Sequence, residues 1–480
     1  MLAPVSAATS ATTTELAAAE GPPPEAALPP TPWKWRLLIL GGLCGIAAAA
    51  YVGSAALLNA GQTLSAYRVQ AGCGIAFFLG LAALFSTSLQ SVSPKTLLWG
   101  MGLQFVLAVA VLHSKDVQTV FRGVGTGIEA LIQASDKGAD FVFGSLAHVS
   151  GPSGFVFAFK ALPPIIFVSS FFSVLYYLGV LQLFVRLLAR GMMHLMGTSG
   201  AETLSVAANV FMGQTEAPLI VKPFVPRMTR SELLALMGSG MAHISGGMMA
   251  VYISYGADKV AILCTCVMAC PCSLYLTKLI QPVAGEPATA GETPIAVETP
   301  YVNVIDAAAA GVKDGVWLAI NVAAMLIAFI AFIELFDITL AAAERGLRVD
   351  AGLTLDKIFG WAFAPVAFLL GVPAEDCGKV GNLLGLKLAA NEHVAYLKYK
   401  DWNATGAVAL DPRSKLLAVY ALTGFANFAS VGIQLGGIGS LAPGRRADLA
   451  KLGMKALFIG FLATLVNAAV AGLLMQPPAE

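Results

Sequence analysis

Charge is scarce in this chain: Asp, Glu, Lys and Arg supply 12% of its 480 residues, against about 25% in soluble domains. The formal net charge is +1 and no basic patch stands out, so nucleic acid is not an expected partner. Two enzymatic signatures are also missing. There is no Asp-Lys-Thr-Gly string of a phosphorylated pump, and neither the His-Glu-x-x-His string nor the paired aspartates of an intramembrane protease, so an enzyme is not expected. Cysteine is sparse, with seven in all. Four of them (Cys264, Cys266, Cys270 and Cys272) crowd one apolar run, where the sharp alternative is a soft-metal site. Without the other parts of a metal pump they read as small apolar residues in a helix, with no metal site and no organic cofactor.

What is present is apolar. Hydrophobic residues make up 57% of the chain, and many runs approach the ~20 residues that span a bilayer. The expected fold is therefore an all-α polytopic membrane protein embedded in lipid. About nine spans are expected, near 36–60, 73–92, 96–113, 161–187, 232–256, 258–280, 315–338, 414–438 and 452–474. Residues 1–33 are rich in Ala, Pro, Thr and Glu and should form a disordered leader. The first apolar run begins only after Trp33-Lys34-Trp35-Arg36, which argues against a secretory signal and marks a cytoplasmic interface. The organisation expected is an extra N-terminal helix over 34–60 and an N-terminal region over 73–150 with two spans and interfacial helices. A gate region over 160–257 and a C-terminal region over 258–475 follow, each with a broken segment. Lys and Arg near the span ends place the N-terminus inside.

Two strings carry the chemistry: Gly213-Gln214-Thr215-Glu216-Ala217-Pro218 and Asn391-Glu392-His393-Val394-Ala395-Tyr396. Each puts a carboxylate into membrane-grade sequence, at a cost of roughly 2.5–3.5 kcal/mol on insertion scales. Such groups are tolerated where they face a cavity. Helix breakers flank both, which predicts two re-entrant hairpins whose tips meet at a polar site. A structural alternative pairs Glu216 and Glu392 with Lys222 and Lys387. A short repeat supports an inverted architecture: Arg230-Ser231-Glu232-Leu233-Leu234-Ala235 recurs as Arg413-Ser414-Lys415-Leu416-Leu417-Ala418, each copy after a hairpin.

These strings, with Met196-Gly197-Thr198-Ser199-Gly200-Ala201-Glu202-Thr203, Asn303-Val304-Ile305-Asp306-Ala307-Ala308-Ala309-Ala310-Gly311 and Gly424-Phe425-Ala426-Asn427, resemble the concentrative nucleoside transporter family from about 73 to 475. The resemblance implies a homotrimer in the plasma (bacterial inner) membrane. It implies import of nucleosides of the uridine, cytidine and adenosine class by symport with a cation, either sodium, slightly favoured, or the proton. The alternative is a transporter of another small polar solute on the same hairpins. An ionised carboxylate only accepts hydrogen bonds, which suits Glu392 to ribose hydroxyls. By resemblance Glu392, Asn427 and Ser430 hold the ribose. Gln214, Thr215 and Glu216 read the base with Met248 beside it, and Leu318 and Phe425 give apolar walls. The family's sodium site maps onto Asn209, the carbonyls of Met212 and Ile244, and a hydroxyl position that here is His243. Imidazole is a poorer sodium ligand and titrates near pH 6.5 unperturbed. His393 is a second departure, expected to point away from Glu392's face.

Overall fold

The computed structural model describes residues 25–148, 156–291, 301–348, 351–406 and 408–476, and no strand occurs among them. Most of the expected leader, residues 1–24, lies outside the described residues. From Glu25 the chain is held rather than free. The Thr31 hydroxyl donates to the Ser86 carbonyl at 2.9 Å and accepts from the Leu89 amide at 2.9 Å. Helix α1 (Trp33–Asn59) then packs along α2 (Thr63–Leu84), and α3 (Pro94–His113) follows with Ser93 as its N-cap. The interfacial segment is one helix, α4 (Lys115–Phe143), apolar on one face and polar on the other.

The span expected over 161–187 is interrupted. A short α5 (Phe157–Lys160) and α6 (Pro163–Tyr177) end at Gly179, whose φ of +81° starts a new direction for α7 (Val180–Met196). The first hairpin follows: α8 (Gly200–Ala208), a tip over 209–216, α9 (Ala217–Ile220) and a 3-10 turn over Lys222–Arg227. Then come the broken pair α10 (Arg230–Ala242) and α11 (Gly246–Ser254), and the buried α12 (Lys259–Ile280), which carries all four clustered cysteines. Helix α13 (Val304–Leu347) has 44 residues where the sequence predicts a span over 315–338, and at 1.5 Å per residue it is about 66 Å long. Helices α14 (Leu355–Leu369) and α15 (Ala374–Ala389) bend by 116° and pack together. The second hairpin tip lies between α15 and α16 (Glu392–Thr405). The span expected over 414–438 is a second broken pair, α17 (Pro412–Leu422) and α18 (Phe428–Leu441), and α19 (Arg446–Leu474) closes the described chain. Among the described residues eight segments are long and apolar enough to cross a membrane, or nine if α14–α15 counts as one span.

Unwound backbone inside a membrane must find partners within the protein. Here the two breaks satisfy each other. The Phe425 amide donates to the His243 carbonyl at 3.0 Å. Each second half-helix is capped by its own polar residue: Ser245 accepts from the Met248 amide, and Asn427 accepts from the Ser430 amide at 2.9 Å. At the other side of the break Lys387, fully buried, donates to the Ala421 carbonyl at 2.7 Å and to the Thr464 hydroxyl at 2.8 Å. The crossing is tight. Gly424 has φ +145°, and a Cβ there would lie 2.7 Å from Thr464 Cγ2 and 3.0 Å from the Ala242 carbonyl oxygen.

Elsewhere polar side chains fix helices that lipid alone would not drive together. Gln104 on α3 donates to Asn467 on α19 at 2.7 Å and accepts from Tyr275 on α12 at 2.7 Å. At the base of the first hairpin, Glu202 and Glu232 each close a capping box, and the Lys278 ammonium meets Glu202 at 2.6 Å. Helix α13 touches little but α6 over most of its length, and does so closely. A Cβ on Gly311 or Gly315 would fall within 2.6 Å of the α6 backbone.

Gly424→Ala should therefore lower the temperature at which purified protein loses its monodisperse elution peak, because the strained conformation alone costs on the order of 1–3 kcal/mol. Gly436→Ala, on α18 with nothing within 4 Å of its would-be Cβ, should be neutral or slightly stabilising. Equal effects of the two would mean the crossing is not tight.

Candidate functional site

Both hairpin tips and both helix breaks open onto one cavity of about 780 Å³. All nine side chains expected at a substrate site line it: Gln214, Thr215, Glu216, Met248, Leu318, Glu392, Phe425, Asn427 and Ser430. Glu392 is the first residue of α16, whose N-cap Asn391 accepts from the Val394 amide at 2.9 Å. A carboxylate is favoured there because the helix N-terminus carries partial positive charge. One oxygen of Glu392 accepts from the Tyr252 hydroxyl at 2.9 Å and the other from the Asn427 amide at 2.9 Å. Tyr252 is itself fixed by stacking on Tyr396, with ring centroids 4.1 Å apart. The first tip is tied in the same way. The Gln214 amide donates to the Ser430 hydroxyl at 3.2 Å, and Glu216 accepts from the Gly213 amide at 3.0 Å, which closes the turn.

Neither carboxylate follows the structural alternative simply. Lys387 hydrogen-bonds to α17 and Thr464 and reaches Glu392 only through its charge. Lys222 lines an adjoining cavity of about 250 Å³, which Glu216 also borders. Several lining residues carry no signal of a site in the sequence. Tyr252 reads there as a core aromatic, and Asp314 and Asn321 on α13 fall at or inside the edge of an apolar run. His393 borders the cavity too, but its ring packs against Phe157, Tyr252 and Tyr255, with its Nε2 3.3 Å from the Tyr255 hydroxyl.

The residues expected to hold a cation divide. Asn209 follows α8 and donates to the Ser205 carbonyl at 3.2 Å and the Ser239 hydroxyl at 3.1 Å. Its Oδ1 is buried and has no hydrogen-bond partner. The Gly246 amide donates to the Phe211 carbonyl at 2.9 Å, so the stretches bearing Met212 and Ile244 are drawn together beside it. His243 does not fit this set. Its Nδ1 donates to the Ser239 carbonyl at 2.8 Å, and its Nε2 lies 3.3 Å from the Cys270 thiol. Both nitrogens are spent on protein partners, because the break turns the imidazole toward α12. These are the bonds of a packed ring.

Two hairpins, two broken helices and a polar cavity at their meeting point define a secondary transporter. The chain belongs to the sodium-dependent nucleoside transporter family. Family models described as the N-terminus and C-terminus of the Na+ dependent nucleoside transporter match residues 73–146 and 261–472, and a gate model described as nucleoside recognition matches 158–259. Sodium/nucleoside cotransporter 1 of Rattus norvegicus is 40% identical over 448 residues, covering 90% of this chain and 68% of that protein. An uncharacterized transporter of Haemophilus influenzae is 39% identical over 402 residues, covering 83% of this chain and 96% of its own. The solved structure of CNTnw in an inward-facing substrate-bound state is 36% identical with a TM-score of 0.79, covering 85% of this chain and 97% of that one. A CNTnw variant in an outward-facing state gives a TM-score of 0.80 at 36% identity, covering 85% of this chain and 98% of that one.

If the imidazole is a packing group, the half-saturating cation concentration for uptake should show no His243-dependent change between about pH 7 and pH 5.5, the range around an ordinary imidazole pKa. His243→Gln and the unsubstituted chain should trace parallel profiles. A steep acid loss of cation affinity in the unsubstituted chain alone would return His243 to the cation site.

Proposed function

We propose that this chain is a secondary active transporter that imports nucleosides by symport with sodium. The observation that carries the reading is Glu392. It is a buried carboxylate at a helix N-terminus, oriented by Tyr252 and Asn427, within a cavity whose remaining polar groups both donate and accept. Ribose hydroxyls suit that carboxylate, and Asn427 and Ser430 extend the same surface. The hairpin tip at Gln214, Thr215 and Glu216 is assigned to the base. Sodium as coupling ion is supported by the unpartnered Asn209 Oδ1 beside the Met212 and Ile244 backbone, a hard oxygen set, and by the names of the relatives. With His243 turned away, a hydroxyl for that site would have to come from Ser239 or Ser245.

The coupling suffices energetically. One charge crossing 100 mV gives about 2.3 kcal/mol, and a tenfold cation gradient adds about 1.4 kcal/mol. Together they support roughly 500-fold accumulation of a neutral solute. The exposed apolar flank of α13 is consistent with a homotrimer, and the Trp33–Arg36 cluster with a cytoplasmic N-terminus in the plasma membrane.

Glu392→Gln should lower the kcat/KM for labelled cytidine in proteoliposomes by about 10–100-fold while leaving insertion and the elution profile intact. Replacing external sodium with choline should abolish uphill uptake by the unsubstituted chain. Near-normal uptake by the variant would sink the ribose assignment, and uptake indifferent to sodium would sink the coupling assignment.

A further inference from the structure

This inference rests on the nucleoside reading. With the ribose on Glu392, Asn427 and Ser430, the base faces the first hairpin tip and the wall made by α13. That wall contributes Asp314, Leu318 and Asn321 to the cavity. Their spacing puts them on one face of the helix. Asp314 and Glu216 both border the main cavity and the adjoining one, so they stand together at its seam from different elements. An ionisable group on a membrane helix that faces a polar cavity is a functional candidate by default.

The hydrogen-bonding inventory on this side is lopsided. An ionised carboxylate only accepts, and Glu216 and Asp314 bring two carboxyl groups to this seam. Gln214 commits its Nε2 to Ser430, which leaves Oε1 as a buried acceptor without a partner. Donors on this side come from the Thr215 and Ser245 hydroxyls, the Trp317 indole and the Asn321 amide. Lys222 lines only the adjoining cavity.

We propose that Asp314, acting with Glu216, makes the site select bases that present an exocyclic amine. Cytosine N4 and adenine N6 carry N–H donors, where uracil and hypoxanthine carry a carbonyl oxygen. A carbonyl turned toward two carboxylates is left unpaired and is repelled, so the amine-bearing member of each matched pair is favoured.

The test measures initial uptake of four nucleosides by the full chain in proteoliposomes under a sodium gradient. The matched pairs are cytidine with uridine and adenosine with inosine. The kcat/KM of the amine-bearing member should lead by about tenfold in both pairs. Asp314→Asn, which offers an N–H, should bring both ratios close to one, and Asp314→Glu should retain the preference. Glu216→Gln should move the ratios in the same direction as Asp314→Asn, which keeps the test sound if one variant is poorly inserted. Equal transport within each pair by the unsubstituted chain, or ratios unmoved by Asp314→Asn, overturns the proposal. Failure of the nucleoside reading looks different: none of the four would be transported or would compete.

Discussion

The structure depends on how it satisfies backbone that is not helical inside a hydrocarbon layer. Each unsatisfied amide or carbonyl there costs several kcal/mol. Two helices are nevertheless broken inside the bundle, after Ala242 and after Leu422. They are placed so that one break's amide, on Phe425, meets the other's carbonyl, on His243. Gly424 permits the approach, and Lys387 and two polar N-caps satisfy much of what is left. Without that crossing neither break would be tolerated.

The same device builds the site. Breaking α10–α11 and α17–α18 exposes two new helix N-termini in the interior, and the second hairpin adds a third at α16. Partial positive charge there offsets the desolvation of Glu392. The bonds from Tyr252 and Asn427 fix where its oxygens point. The Glu392 side of the cavity is thus set before any ligand arrives. The first hairpin tip is stitched to the same frame through Gln214 and Ser430, while α13 reaches the cavity from the side and joins the rest mainly through α6.

What the sequence revealed follows from this physics. Glu216 and Glu392 were legible because a charge buried in an apolar run is costly and survives chiefly where it faces a polar cavity. Their flanking Gly, Pro and Asn announced the tips. The break at Thr423–Asn427 was less legible, since only Gly424 and Asn427 hint at it and the apolar runs on either side read as one span. Tyr252 was invisible because its partner Glu392 lies 140 residues away, and an aromatic in a span reads as packing. Asp314 sits beside Lys313 near the edge of an apolar run, where paired charges mark an interface. The helix in fact continues well beyond both. His243 shows the limit of alignment. Alignment with a hydroxyl position suggested a ligand, but the local turn points the ring at Cys270.

Helix α19 is made after every element it holds in place. Thr464 accepts from Lys387, Asn467 accepts from Gln104, the Gly472 carbonyl accepts from Arg413, and Gly460 lets the chain settle against Met241. Until the ribosome has delivered those residues, a lysine, a glutamine and an arginine lie among apolar helices without these partners. Biogenesis of this fold must therefore keep the earlier segments within reach of water or of the insertion machinery. It can release them to the bilayer only once the C-terminal helix has arrived to lock the bundle.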